Sequence, residues 1–90
     1  MDVLSASEEG GKMRSLVVAY VMAVTEVGKE HDVVGELSKI EGVSEAREVY
    51  GEFDVVCIVK GKELRSINKS VSEIRRTKGV LRTVTLISSG

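Results

Sequence analysis

The chain has 90 residues, which limits it to a single domain. Hydrophobic residues make up 42% and charged residues 30%, and this balance excludes a disordered or low-complexity chain. Thirteen basic and fourteen acidic residues leave a net charge of −1. That value argues against a domain whose main partner is a phosphate backbone.

The N-terminal residues carry no folding pattern. Residues 1–14 contain serine, a Gly-Gly pair and scattered charge, so we expect a flexible extension before one domain at 15–90. They lack the regions of a signal peptide, and the longest apolar run, Leu16–Val24, is too short to span a membrane. A single cysteine favours a reducing cytoplasm. Scarce amide side chains beside abundant Lys, Glu and Arg suggest a thermophilic source.

Strand and helix patterns alternate along the rest of the chain. Leu16–Val24 is a continuous β-branched run, typical of a strand that is apolar on both faces. An amphipathic helix is predicted next and ends before Gly42. Val43–Tyr50 alternates as a polar strand, and after a turn Phe53–Val59 forms an apolar strand. The apolar stripe of the first helix consists of Val33, Val34, Leu37 and Ile40.

A second helix and a last strand complete the pattern. Apolar residues at spacings of three, four and three predict a helix within residues 62–78, with Arg75, Arg76 and Lys78 near its C-terminus. Gly79 ends this helix, and Val80–Ser88 forms the last strand. The stripe of the second helix consists of Leu64, Ile67, Val71 and Ile74.

The resulting order is βαββαβ, and an internal repeat supports it. A shift of 37 residues places Gly42-Val43 on Gly79-Val80. Two βαβ halves related in this way predict an α+β fold, the ferredoxin-like sandwich, with one four-stranded antiparallel sheet and two helices on one face.

The predicted fold leaves an apolar sheet face uncovered, because two helices cover only one face and the first strand is apolar on both. Such a face is unusual in a soluble monomer, so we expect a homodimer that packs through it. The sequence analysis assigns the interface to one set of alternating residues. They are Val17, Ala19, Val21 and Ala23.

Catalysis and metal binding are not expected. Cys57 lies mid-strand without a basic neighbour and fits a buried core position. His31 has no visible partner, and no cluster has metal-ligand or phosphate-loop spacing. No cofactor is predicted. The basic second helix permits RNA binding, but few aromatic residues are present to stack on bases.

The turn Gly51-Glu52-Phe53-Asp54 is the strongest candidate site. Asp54 opens an otherwise apolar strand, where a carboxylate needs a partner. It either caps the turn with a local hydrogen bond or, together with Thr83 and Thr85 of the last strand, receives the ammonium group of a ligand.

From residue 16 to residue 88 the chain resembles the effector-binding (RAM) domain of the leucine-responsive Lrp/AsnC regulators. The matching segments are the apolar first strand, Ile40-Glu41-Gly42-Val43, Gly51-Glu52-Phe53-Asp54 and Gly79-Val80-x-Arg82-Thr83-x-Thr85. Regulators of this type carry an N-terminal helix-turn-helix, and residues 1–14 are too few for one. The resemblance therefore implies a stand-alone form without specific DNA binding of its own.

The resemblance also implies a function. It implies a cytoplasmic dimer that joins further dimers in a ring, an amino-acid effector bound between dimers, and a full-length Lrp/AsnC regulator as a further partner. In this scheme the Gly51 backbone approaches the effector's carboxylate, Glu52 and Asp54 attract its ammonium group, and Phe53 packs on its side chain. Thr83 and Thr85 donate hydrogen bonds.

Three alternatives remain open at this point. An ACT-type regulatory domain of amino-acid metabolism has the same βαββαβ order, although its sites use a glycine-rich loop after the first strand, where this chain offers only Gly28. An enzyme of the dimeric α+β barrel type would need a catalytic group inside the sheet cavity, and His31 is not on a strand. A purely structural oligomerisation module would bind no ligand.

Overall fold

The computed structural model describes residues 16–88, and the predicted N-terminal extension, residues 1–14, lies outside them. Within this part of the chain, no helix is long and apolar enough to cross a membrane. The elements in chain order are β1 (Val17–Thr25), α1 (Glu30–Leu37), β2 (Val43–Glu48), β3 (Val55–Gly61), α2 (Leu64–Arg75) and β4 (Val80–Ile87).

The strands form one sheet in the order β2-β3-β1-β4, and each neighbouring pair is antiparallel. The sheet therefore has β3 and β1 inside and β2 and β4 at its edges. Helix α1 packs on β2 and β3, and α2 packs on β3, β1 and β4. This arrangement confirms the predicted ferredoxin-like fold, with both helices on one face.

The helices are shorter than predicted. Helix α1 ends at Leu37 rather than continuing to Ile40, and the Ser38 hydroxyl donates a hydrogen bond of 2.7 Å to the Val34 carbonyl at this end. Ile40 still packs against the core from the following turn. An apolar stripe thus marks the residues that reach the core, which is a broader set than those with helical backbone.

The internal repeat is visible in the backbone where each helix leads into a strand. Gly42 and Gly79 both have a φ of +97°, a conformation that side chains with a Cβ rarely adopt. The amides of Val43 and Val80 donate equivalent 3.1 Å hydrogen bonds to the carbonyls of Ile40 and Thr77. The two halves therefore enter β2 and β4 by the same turn.

The core lies between the sheet and the helix layer. Its strand residues point to the helices, and its helix residues form the predicted stripes. Its buried members are Ala19, Val21, Ala23, Val33, Leu37, Val55, Cys57, Val59, Ile67, Val71 and Ile74.

The predicted dimer residues are part of this core, which corrects the assignment of faces on β1. Ala19, Val21 and Ala23 are at most 1% exposed beneath the helices, and Val17 packs against the same cluster. A second chain cannot reach them. The small alanine side chains let the helices approach the centre of the sheet closely, whereas the larger residues of β1 alternate onto the other face.

The other face of the sheet carries no helix among the described residues, and we call it the open face. The residues of this face lie opposite one another on neighbouring strands. None of them is fully buried. Its apolar members are Val18, Tyr20, Met22, Val24, Val56, Ile58, Val84 and Leu86.

Candidate functional site

Three loops meet at one end of the sheet, which we call the loop end. Residues 26–29 connect β1 to α1, residues 49–54 connect β2 to β3, and residues 76–79 connect α2 to β4. All three lie at the end of the sheet where β1 finishes and β3 and β4 begin. The Glu26 amide donates a 2.8 Å hydrogen bond to the Gly79 carbonyl and so joins two of these loops. The predicted effector turn, Gly51 to Asp54, belongs to the third.

Asp54 holds the effector turn against the end of β1. One carboxylate oxygen, Oδ2, accepts a 2.9 Å hydrogen bond from the Thr25 amide, and the Thr25 hydroxyl lies 3.5 Å away. The Asp54 amide donates to the Ala23 carbonyl at 2.9 Å. The β1–β4 register shifts between Val24 and Thr25, so the carboxylate pairs a backbone group at an irregular position of the ladder. Asp54 therefore anchors the turn to the end of β1 through long-range hydrogen bonds, whereas the predicted capping role called for a local hydrogen bond within the turn.

The rest of the turn is open to solvent. Gly51 has a φ of +126° with open space around its Cα, Glu52 is exposed, and Tyr50 is fully exposed. Phe53 is half-buried, and the Arg82 guanidinium carbon lies 5.7 Å from the centre of its ring. This cation–π contact holds the ring beside the open face, because Arg82 pairs with Val24 there.

The two predicted threonines face the opposite side of the sheet. Thr83 pairs with Ala23 and Thr85 with Val21, and these partners point to the helices. The structure therefore does not bring Thr83 and Thr85 together with Phe53 within one chain. This corrects the predicted six-residue set, since a strand's side chains alternate between faces and Arg82 lies on the other face from both threonines.

Two cavities lie elsewhere on the helix side. A groove of about 760 Å³ separates the C-terminal end of α2 from α1, and its lining mixes acidic and basic side chains. A smaller cavity of about 410 Å³ lies at the other end of the sheet and is lined in part by Lys60, Lys62 and Lys69. Neither cavity was predictable from the sequence, although the charges along both helices are visible in it.

The titratable residues offer no catalytic arrangement in the described part of the chain. Burial raises the pKa of the Cys57 thiol to about 11, so it is protonated at neutral pH and a poor nucleophile. His31 Nδ1 lies 3.6 Å from a Glu48 carboxylate oxygen, with its side chain 93% exposed. Within residues 16–88, no three His, Cys, Asp or Glu side chains are grouped so that they could hold a metal ion.

The chain is a small ferredoxin-like domain with an open apolar sheet face and an exposed turn, and comparison with known proteins identifies its family. Residues 18–89 match the Lrp/AsnC ligand binding domain. The chain belongs to this family.

Similar solved structures support this assignment. A hypothetical protein from Pyrococcus horikoshii is 34% identical with a TM-score of 0.74, over 80% of this chain and 88% of that one. A feast or famine regulatory protein from M. tuberculosis, solved in complex with L-methionine, is 27% identical with a TM-score of 0.70. The match covers 82% of this chain and 50% of the M. tuberculosis protein.

Curated relatives include a regulator and an enzyme. The HTH-type transcriptional regulator LysM from Sulfurisphaera tokodaii is 36% identical over 52 residues, which are 58% of this chain and 37% of the regulator. A homocitrate synthase from Saccharolobus islandicus is 40% identical over 53 residues, which are 59% of this chain and 12% of the enzyme. The match thus spans little more than a third of the regulator and about an eighth of the enzyme.

Proposed function

We propose that the chain is an amino-acid effector-binding and oligomerisation module of the Lrp/AsnC type, without catalytic activity of its own. Its membership of a ligand-binding domain family carries the proposal. The M. tuberculosis relative in complex with L-methionine supports an amino acid as the ligand class.

The effector contacts belong to the exposed part of the loop end. Glu52 is exposed, and none of the hydrogen bonds or ion pairs found within residues 16–88 uses its carboxylate, so it is available to an ammonium group. Gly51 gives a ligand carboxylate close access to backbone, and the Phe53 ring offers an apolar surface. Asp54 acts as a positioning residue, because its carboxylate already pairs with the Thr25 amide.

A second copy completes the site. The turn is a convex, solvent-exposed surface in one chain, and small-molecule sites are concave. Two exposed apolar side chains, Val27 and Tyr50, flank it at 97% and 105% exposure. Their position supports a contact between copies at the loop end, which would enclose a ligand held by the turn.

The open face supplies the dimer contact. Its apolar centre is bordered by charged residues of both signs, Glu45, Arg47 and Lys60. A self-complementary patch of this kind suits a two-fold dimer, in which each copy covers the same patch on the other. An effector bound between copies would then shift the assembly equilibrium by its difference in affinity for the assembled and free forms.

Titration calorimetry tests the effector site. We expect at least one L-amino acid, with L-methionine as the first probe, to bind wild-type protein at submillimolar concentration. Glu52→Gln should lower the affinity tenfold or more, because a charge-assisted contact is lost. Glu63→Gln, at the opposite end of the sheet, is the matched control and should leave the affinity unchanged. Absence of binding for all twenty amino acids at millimolar concentration would contradict the proposal.

Control of an enzyme is a second candidate function, because a similar segment occurs in homocitrate synthase. The same effector-dependent assembly would then act on an enzyme rather than on a regulator. The test adds the chain, with and without amino acid, to a homocitrate synthase that carries the similar segment. Turnover that stays constant in every mixture argues against this function.

A further inference from the structure

The two edge strands of the sheet differ in how they are protected. Strand β2 has six residues, three of them charged, and its register shifts between Val43 and Glu45. Strand β4 has eight residues with a single charge, Arg82. Charges and irregular register are the common means by which an edge strand avoids pairing with another chain. Strand β4 also has a register shift, because Leu81 is the extra residue between the pairs Val24–Arg82 and Thr25–Val80. Its regular stretch, from Arg82 to Ile87, nevertheless carries a single charge.

The hydrogen-bond phase of β4 shows which of its backbone groups point outward. The Ser88 amide donates to the Val18 carbonyl at 2.8 Å, in line with the β1–β4 register. Because hydrogen-bonded pairs alternate along an antiparallel ladder, Leu86, Val84 and Arg82 also point their backbone groups to β1. The groups that point away from the sheet belong to Thr83, Thr85 and Ile87.

These outward groups have no strand partner in the described part of the chain, since β4 pairs only with β1 there. Leu81 and Ile87 are also exposed along this edge, at 61% and 47%. Among the described residues, Thr85 Oγ1 is the one buried side-chain polar atom without a hydrogen-bond partner. A rotation about χ1 brings a threonine hydroxyl to a new staggered position, so this atom can turn toward the edge.

We propose that β4 pairs antiparallel with β4 of a second copy around a two-fold axis, so that the two sheets join into one of eight strands. This surface is distinct from the open face, and the pairing goes beyond the proposed function. A second copy is the occupant because strand pairing by an identical edge satisfies the outward groups of both copies.

The strand itself selects the register. Directly opposite residues must lie on the same face, and centring the pair on Val84 aligns the regular stretch from Arg82 to Leu86 with itself. Thr83 then lies opposite Thr85 of the second copy, and the unpaired hydroxyl of Thr85 meets another hydroxyl. Leu81 lies opposite Ile87, which buries both exposed side chains.

Other registers are less favourable. A pair centred on Arg82 places two guanidinium groups directly opposite each other, and like charges in that position destabilise a sheet. A pair centred on Thr83 or Thr85 leaves part of the eight-residue strand without a partner. The Val84-centred register keeps the arginines apart and places Thr83 and Thr85 of the two copies opposite each other.

Hydrogen exchange of the wild-type protein tests the pairing directly. We expect exchange of the Thr83, Thr85 and Ile87 amides to slow at least tenfold between micromolar and millimolar protein. The outward amides of β2, at Ala46 and Glu48, are internal controls and should not change. Outward β4 amides that exchange equally fast at both concentrations would overturn the proposal. Protection that requires a different added protein would also overturn it.

A pair of proline variants provides the second test. Thr83→Pro removes an outward N–H and leaves the β1 pairing intact, which is where proline is tolerated in a sheet. We expect sedimentation to show at least a tenfold weaker association beyond the open-face dimer. Glu48→Pro removes an outward N–H from β2 and should associate like wild type. Equal association of both variants and wild type would overturn the pairing, whereas effector binding, measured by calorimetry, tests the proposed function separately.

Discussion

Asp54 shows how a residue of the predicted effector turn can serve the fold first. Its carboxylate pairs with the amide of Thr25, a residue only 4% exposed, and its own amide pairs with the Ala23 carbonyl. Both contacts lie where the β1–β4 register shifts. The side chain therefore compensates for an irregular strand end and fixes the direction in which the effector turn leaves the sheet.

Substitution of Asp54 should lower stability whether or not a ligand is present. Asp54→Ala leaves the Thr25 amide without its acceptor, and we expect the free energy of unfolding to fall by about 1–3 kcal/mol. Asp54→Asn retains a carbonyl oxygen that can accept the same hydrogen bond and should recover about half of the loss. Urea unfolding measures both. An Asp54→Ala protein as stable as wild type would mean that the hydrogen bond contributes nothing.

Cys57 makes stability fall at alkaline pH. Burial holds the pKa of its thiol at about 11, above the ordinary value of 9.0, so the unfolded chain loses this proton at lower pH than the folded chain does. The higher pKa in the folded chain therefore stabilises the protein fully below about pH 9. This stabilisation, about 2–3 kcal/mol, is lost as the pH rises to 11.

The measurement is urea unfolding at pH 8 and pH 11. Cys57→Ala serves as the control. Between these two pH values its free energy of unfolding changes only through the other titrating groups. The loss should be larger for wild type than for the variant. Equal losses in the two proteins would contradict the prediction.

At the scale of elements, α1 is the weaker helix. It has eight residues, its N-cap residue Lys29 makes no side-chain capping hydrogen bond, and no basic residue lies in its last turn. Helix α2 has twelve residues and a basic last turn. Helix α1 therefore depends on its two buried residues, Val33 and Leu37, for its position on the sheet.

Gly35 weakens α1 further, and replacing it should stabilise the protein. A Cβ at this position would meet no atom within 4 Å, so Gly35→Ala should raise the free energy of unfolding by about 0.5–1 kcal/mol through helix propensity. Gly42→Ala is the contrasting variant, because φ is +97° there and the new Cβ would lie 2.5 Å from Ser70 Oγ. It should destabilise. Thermal unfolding measures both changes. If the two variants shift stability in the same direction relative to wild type, the roles assigned to Gly35 and Gly42 are wrong.

At the scale of the whole molecule, the distribution of side-chain sizes on β1 decides what each face of the sheet does. Ala19 and Ala23 allow the helices to pack closely, while Tyr20 and Met22 lie on the open face. The proposed self-association through this face would remove apolar surface that one chain leaves exposed. The two edges and the loop end then remain available for further contacts.

Charge substitutions on adjacent residues of β1 should separate folding from dimerisation. Met22→Glu places a charge in the proposed sheet-to-sheet contact and should weaken the dimer at least a hundredfold while the fold persists. Val21→Glu places the charge in the core, where Val21 is 1% exposed, and should unfold the chain. Val27→Glu, in an exposed loop, should do neither.

Circular dichroism and sedimentation measure the two properties on the same samples. A Met22→Glu protein that remains a dimer would show that the open face is not the dimer contact. A folded Val21→Glu protein would contradict the assignment of faces on β1.

The order of elements was predictable from the sequence because each depends on local periodicity. The β-branched run of β1 is a strand, and Ile67, Val71 and Ile74 of the α2 stripe are buried, as predicted, whereas Leu64 is 50% exposed. The glycines at positions 42 and 79 lie in the turns that enter β2 and β4, a few residues after the helix ends that they were predicted to form. Element ends were less predictable. Ile40 fits the helical stripe but reaches the core from a turn, because periodicity reports burial rather than backbone conformation.

By itself the sequence determined the βαββαβ order, the turn between β2 and β3 and the existence of an apolar face without helices. Tertiary structure alone decided which face of β1 the helices cover, since both faces are apolar and alternation does not distinguish them. It also decided that Asp54 pairs with Thr25 and that Thr83 and Phe53 lie on different sides. Those relations depend on strand register, which brings together residues about thirty positions apart in the chain.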